Sequence, residues 1–228
     1  MVDSGSTDRT REIASSFGAK VWSEPWKGFA AQKNSALEKA TGDWILSLDA
    51  DEEVSAELAR SMQAVLSSRG EPVGYWVARR NLFLGKWVKR GGFYPDRKLR
   101  LWRRGAGHFE DALVHETAKV EGTTSELDGD LVHDAYPTLE KYIEHMNRYS
   151  SLGAQAIAQR SMGSHSFLGD VIVRPALTFF YNYFVRLGFL DGREGLLLHW
   201  YHAGYVSWKY AKVWELSRRG ARVQSRNI

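Results

Sequence analysis

Hydrophobic and polar positions change rhythm along this chain. Through about residue 55, short apolar runs alternate with amphipathic stretches. Val2-Asp3 reads as the end of a strand, followed by the tight turn Ser4-Gly5-Ser6. A helix over about residues 9–17 comes next, with Thr7 or Asp8 at its start and Gly18 at its end. Ala19-Lys20-Val21-Trp22 reads as a strand. Residues 28–40 form a helix with Phe29, Ala36 and Leu37 on one side, ended by Gly42. Trp44-Ile45-Leu46 with Leu48 predicts a buried strand of a parallel sheet. This alternation argues for an α/β fold. Residues 55–68 predict a helix with Leu58, Met62 and Val65 inward, and residues 73–83 an extended segment. Two residues are few for the opening strand of such a sheet, so the body of that strand, with a preceding strand and helix, is expected upstream of residue 1.

Beyond Pro137 the period becomes helical. Leu139, Tyr142, Ile143, Met146 and Tyr149 mark one amphipathic helix over residues 138–159. A linker-like break at 161–166 leads into residues 167–190, rich in Phe, Tyr, Val and Leu but interrupted by Asp170, Arg174, Pro175 and Arg186. Its longest uncharged run, 175–185, is well short of the ~20 residues that span a bilayer. Residues 195–216 form a second aromatic segment, with Trp200, Tyr205, Trp208 and Trp214 near Lys209, Lys212, Arg218, Arg219 and Arg222. Aromatics flanked by cations suit a membrane interface, and equally a helical hairpin packed on the rest. The expected division is therefore a domain at 1–136 and a helical region at 137–228.

Composition narrows the chemistry. The 228 residues, 43% hydrophobic, can bury a substantial core, and the absence of cysteine excludes disulfides and cysteine catalysis. The net charge of +4 is uneven, with −1 over residues 1–160 and +5 over 161–228. A basic, aromatic third points to an anionic surface, membrane or nucleic acid. Nucleic acid is set aside because no nucleic-acid-binding module is present. No phosphate-binding P-loop, zinc ligand set or nucleophile elbow is present either.

The densest candidate chemistry is Asp49-Ala50-Asp51-Glu52-Glu53. Asp49 and Asp51 alternate along an extended chain, so both can face one site beyond the strand end. Two such carboxylates suit a hard divalent ion that clamps a diphosphate. The same acids also suit the start of the following helix.

Three stretches in order carry a family resemblance: Asp3-Ser4-Gly5-Ser6-Thr7-Asp8, Gln32-Lys33-Asn34, and Gly42-Asp43-Trp44-Ile45-Leu46-Ser47-Leu48-Asp49-Ala50-Asp51-Glu52. Together they resemble the family 2 glycosyltransferases of GT-A fold. Residues 90–102 (Arg-Gly-Gly-Phe-Tyr-Pro-Asp-Arg-Lys-Leu-Arg-Leu-Trp), Leu113-Val114-His115-Glu116 and Gly188-Phe189-Leu190-Asp191-Gly192 are similar to the lipopolysaccharide-core β-glucosyltransferase subgroup. The resemblance implies a GT-A, mostly parallel sheet flanked by helices, followed by a membrane-proximal helical region. It implies an inverting hexosyltransferase using Mg²⁺ or Mn²⁺, with glucose from UDP-glucose moved to a lipopolysaccharide-core or other lipid-linked saccharide. The enzyme would sit in the cytoplasm, peripheral at the inner face of the cytoplasmic membrane.

Site residues follow from the same resemblance. Asp3, Asp8, Lys33 and Asp49 match the nucleotide-sugar side, with helix capping the competing role for Asp8. Asp51 matches the metal ligand, and His133 is a further metal candidate or a structural histidine. Gly91 and Gly92 would allow close backbone approach to the donor sugar. Arg97 and Arg100 face phosphate or merely line a solvated strand. The base is Glu116, with Asp111 second, unless His115-Glu116 only closes a strand end. Two rivals share the pattern: a phosphatase of the haloacid-dehalogenase type, in which Asp49 would be the nucleophile, and a non-catalytic, membrane-surface relative of the glycosyltransferases.

Overall fold

A computed structural model of the chain describes residues 1–67, 71–110, 117–160 and 166–224, with side chains to residue 218. The first half runs β1 (Val2–Asp3), α1 (Thr10–Ser16), β2 (Trp22–Ser23), α2 (Phe29–Glu38), β3 (Trp44–Leu46), β4 (Glu52–Val54) and α3 (Ala56–Leu66). Next come β5 (Gly74–Phe83), β6 (Lys86–Trp87), β7 (Asp96–Arg103), β8 (Gly107–Glu110), β9 (Thr117–Val120) and β10 (Thr124–Tyr136). The rest is helical: α4 (Leu139–Arg160), a π-helical turn (Gly169–Val173), α5 (Arg174–Phe180), a second π-helical turn (Tyr181–Val185), a 3-10 turn (Gly188–Asp191) and α6 (Gly192–Gln224). Every helix and strand expected in the first half is present, most with shorter bounds, while β1 keeps its two residues and β2 is shifted to Trp22–Ser23. The expected linker at 161–166 lies almost wholly outside the described residues.

The strands form three sheets with parallel and antiparallel ladders. The largest has the order β3-β7-β5-β10-β4, with β6 on β5, while β1 pairs β2 and β8 pairs β9. The β1–β2 ladder is parallel. β3 pairs antiparallel with β7, Ile45 opposite Trp102, and β4 pairs antiparallel with β10. The expectation that Trp44–Leu48 is a buried strand of a mostly parallel sheet is corrected here. Among the described residues β3 pairs with β7 alone, and along it Ile45 is buried while Leu46 and Leu48 are exposed.

A second correction concerns the acids after β3. Asp49 to Glu52 is a turn, closed by the Glu52 N–H donating to the Asp49 carbonyl at 3.1 Å. Glu52 and Glu53 then pair in β4 instead of starting a helix. α3 is capped by Ser55, whose Oγ accepts the Leu58 N–H at 3.2 Å. The same Oγ accepts the Asp130 N–H at 3.2 Å, tying the helix start to β10.

The chain gathers into two compact units that interleave in sequence: Met1–Leu48, Arg60–Val77 and Lys98–Asp128; and Asp49–Ala59, Ala78–Arg97 and Gly129–Ile228. The first centres on Trp102, wholly buried among Ala30, Ile45, Leu99 and Phe109. Truncating so large a buried ring costs about 3–5 kcal/mol. The second centres on Phe83, Val88, Tyr142, Met146 and Leu198, with Tyr136, Tyr201, Tyr205 and Trp208 packed around them. Tyr142 and Met146 lie buried on the face of α4 that the sequence period selects, whereas Ile143 keeps 36% of its surface exposed. Lys212 of α6 points inward and donates to the Asn147 carbonyl and to the hydroxyls of Ser150 and Ser151 on α4. It is a helix-to-helix tie, not the membrane-facing cation expected. Among the described residues no helix is long and apolar enough to cross a membrane.

Candidate active site

The second unit brings together two of the predicted metal residues. His133, on β10, places its Nε2 3.3 Å from Asp51 Oδ2. The turn sets Asp51 beside β10, where the Asp134 N–H donates to the Asp51 carbonyl at 3.2 Å. In β10 His133 stands opposite Glu52. The Asp51 carboxyl is held below the usual range, first by its hydrogen bond with His133, against the opposing effect of burial.

Asn81 decides the chemistry of that pair. His133 Nδ1 lies 2.7 Å from Asn81 Oδ1. The Asn81 amide nitrogen faces acceptors, the Phe93 carbonyl and Asp96 Oδ2, each at 3.4 Å. With the amide so oriented, its oxygen faces the imidazole and Nδ1 must donate. Nε2 faces the Asp51 carboxylate oxygen, and the two are joined there by a proton or by a cation. An oxygen and an imidazole nitrogen suit Mn²⁺ or Mg²⁺, ions that leave further positions for diphosphate and water. The residues present therefore fit a divalent cation. Among the described residues no third His, Asp or Glu joins these two in a ready cluster.

A charged network braces Asn81. Arg79 and Asn81 are two apart in β5 and share one face of the strand. Arg79 Nη2 and Nε lie 2.5 and 2.9 Å from Asp96 Oδ2. Arg79 Nη1 lies 3.3 Å from Glu52 Oε1. Glu52 Oε2 in turn accepts the Asp49 N–H at 3.1 Å. Burial opposes the Arg79 charge, yet Asp96 and then Glu52 outweigh it and hold the proton more tightly than usual. The turn bearing Asp49 and Asp51 is thus anchored to β5 and β7 by side chains. Sequence reasoning assigned no site role to Asn81, Arg79 or Asp96, and read Glu52 only as part of a helix start. The available signal was a polar pair two apart inside a strand otherwise flanked by Val77, Leu82 and Phe83.

The other candidates have different surroundings. In the first unit, the buried Asp3 accepts the Gly5 N–H at 3.0 Å, the Ser6 N–H at 3.1 Å and the Ser6 hydroxyl. Arg11 lies 3.9 Å away. The Ser6 hydroxyl is the chief cause of a lowered Asp3 pKa, with burial opposing it and the turn amides adding to it. Asp8 accepts the Thr10 N–H at 2.9 Å, a helix-start role. Lys33 sits over the Phe109 ring, 5.2 Å from its centre. Its neighbour Asn34 exchanges two hydrogen bonds with the Phe109 backbone, at 2.9 and 2.8 Å.

Gly91 and Gly92 belong to the second unit, both at positive φ. A Cβ on Gly91 would stand 1.9 Å from the His199 ring, and one on Gly92 2.1 Å from Arg186. The close approach these glycines permit here is to the C-terminal helical region. Arg100 is buried and Arg97 exposed. The proposed base Glu116 and its alternative Asp111, with His115, lie outside the described residues.

With this geometry in hand, comparison with known proteins identifies the class. Residues 1–117 match the family model for glycosyl transferase family 2. The chain belongs to that family, is a glycosyltransferase, and has the family's GT-A α/β fold. The lipopolysaccharide core biosynthesis glycosyltransferase LpsC of Rhizobium meliloti (strain 1021) is 34% identical over 199 residues, covering 84% of this chain and 71% of that protein. An uncharacterised glycosyltransferase of Rickettsia typhi is 26% identical over 239 residues, covering 100% and 80%. One from Rickettsia bellii is 29% identical over 230 residues, covering 95% and 77%. Membership of this family sets aside the phosphatase reading of Asp49.

Proposed function

We propose that this glycosyltransferase moves a hexose, foremost glucose from UDP-glucose, with inversion onto a sugar hydroxyl of a lipopolysaccharide-core or other lipid-linked acceptor. The observation that carries the reading is the Asp51–His133 pair, a carboxylate oxygen 3.3 Å from an imidazole nitrogen, with the imidazole oriented by Asn81. The name of the LpsC relative supports the acceptor class.

Asp51 and His133 would hold Mg²⁺ or Mn²⁺, which when bound offsets the charge of the departing nucleoside diphosphate. Asp3 and Asp49 accept hydrogen bonds from uracil or ribose, and Lys33 adds positive charge near the donor. Asp8 caps α1. Glu116, with Asp111 as the alternative, takes the acceptor proton as the new glycosidic bond forms and the bond to the diphosphate breaks. The enzyme works at the cytoplasmic face of the inner membrane, where a lipid-linked acceptor is presented.

Isothermal titration of UDP and UDP-glucose, with and without Mn²⁺, tests the donor side. Binding that requires Mn²⁺ and disappears in Asp51→Ala is expected. Equal affinity with and without the ion would sink the metal role. Undiminished acceptor turnover in Glu116→Gln would remove Glu116 as base.

A further inference from the structure

The helical run at residues 167–190 and the first turns of α6 carry large apolar side chains on the outside. Leu168, Leu177 and Trp200 are 65%, 61% and 65% exposed, and Phe180, Val185 and Leu190 are more than half exposed. The aromatic side chains of this run are contiguous, with Phe179 also meeting Phe184 edge-on at 6.3 Å. Phe179 stacks on Tyr183 at 5.1 Å and meets Trp200 of α6 edge-on at 5.8 Å. Phe180 contacts Phe184 at 5.3 Å. An open groove of about 530 Å³ lies along the same run, walled by Val173, Leu177 and Tyr181, with Arg174 beside it. Soluble monomers seldom leave contiguous apolar surface beyond a few hundred Å².

Charge around this surface selects what covers it. The acids of the segment are buried or paired. Asp170 takes Arg174 at 2.9 Å. Asp191 is buried and accepts the Arg90 N–H at 2.8 Å, and Glu194 pairs with Lys86 at 2.9 Å. Arg186 and Arg193, by contrast, are exposed beside the apolar side chains. An apolar face bordered by cations complements an anionic lipid surface. Two copies meeting through it would set like-charged borders against each other.

We propose that this face lies in the interface of an anionic phospholipid membrane. Its apolar side chains enter the acyl boundary, while Arg186 and Arg193 meet lipid phosphates. With no described helix able to cross a bilayer, the run lies along the surface. The inference rests for its purpose on the lipid-linked acceptor proposed above, but its test does not involve transfer.

The test is co-sedimentation of the chain with vesicles of phosphatidylcholine alone and of phosphatidylcholine mixed with phosphatidylglycerol. Binding to the anionic vesicles, weakened by salt, is expected. Arg186→Gln and Arg193→Gln should each weaken it about fivefold. The double variant Leu177→Ser/Phe180→Ser should weaken it by about tenfold or more, with helix content checked by circular dichroism. The proposal is overturned if the wild type ignores anionic vesicles, or if that folded double variant binds them undiminished. It is also overturned if sedimentation equilibrium shows a dimer that the double variant abolishes, since a second copy would then cover the face. UDP binding measured without vesicles separates failure of this inference from failure of the glycosyltransferase site.

Discussion

Asp3 ends one short strand and Asp51 comes after another, each near an acidic, glycine- or alanine-bearing turn, yet they are held in opposite ways. Asp3 finds its partners in its own turn and the adjoining helix, at Gly5, Ser6 and Arg11. Asp51 meets a histidine 82 residues away, which is oriented by an asparagine 52 residues from it. The first arrangement exists once a few neighbouring residues adopt a turn. The second exists only when β4, β5 and β10 are all in register. A local carboxylate therefore shapes its loop, while a long-range one forms a centre whose geometry the whole sheet enforces.

The contrast can be broken most severely at Asp51. Asp51→Ala should lower Mn²⁺-dependent transfer by about 10³-fold, a loss of several kcal/mol, with an unchanged melting temperature because the side chain is half exposed. Retained rate would mean the centre lies elsewhere. Arg79→Met removes one partner of a largely buried ion network and should cost about 3 kcal/mol in urea unfolding. A cost below about 1 kcal/mol would show the network behaving as a surface pair.

A third probe extends the comparison to the helical region. Burial first, and then His199 and Lys209, hold the His202 pKa down at about 4. The unfolded histidine binds its proton near pH 6.5. This contribution to stability is therefore complete above that pH and is lost as pH falls toward 4. Chemical unfolding across this window should show the decline, and His202→Gln should flatten it. His199 contributes in the same direction, its pKa lowered by burial against the opposing charge of Asp191.

Smaller effects sharpen the contrast. Asn81→Ala should weaken Mn²⁺ binding about 10–100-fold by freeing the imidazole orientation. Calorimetric titration of the ion reads this directly, and an unchanged circular dichroism spectrum would separate it from unfolding. Asp8→Ala should do least, with a slight fall in melting temperature and an unaltered UDP affinity. A large loss of UDP affinity there would move Asp8 from helix start to nucleotide contact.

Much of this was legible because it is local. Gly18 does end α1, at φ +79°, and the apolar spacing of α4 does select Tyr142 and Met146 for burial. His133 was already a metal candidate because an imidazole beside acids on a strand offers suitable ligands. Its partner Asn81 had no local mark, since an amide acquires a role only from what another strand sets against it. Lys212 looked like an outward cation because its neighbours are aromatic. The packing of α6 on α4 turned it inward to four oxygen acceptors.

The sequence by itself determined the succession of helices and strands through β5 apart from β4, the helix α4, the turn at Asp3, the acidic pair at Asp49 and Asp51, and the aromatic, basic character of the last third. Each depends on residues within one or two turns of each other, where periodicity and short hydrogen bonds suffice. Only the tertiary structure decided that β3 is an antiparallel edge strand and that Asp51 sits on a turn facing His133. It also decided that Asn81 sets the imidazole, and that Gly91 and Gly92 make room for His199 and Arg186. These depend on strand register and helix docking, in which the energy of many distant contacts selects one arrangement that no short stretch encodes.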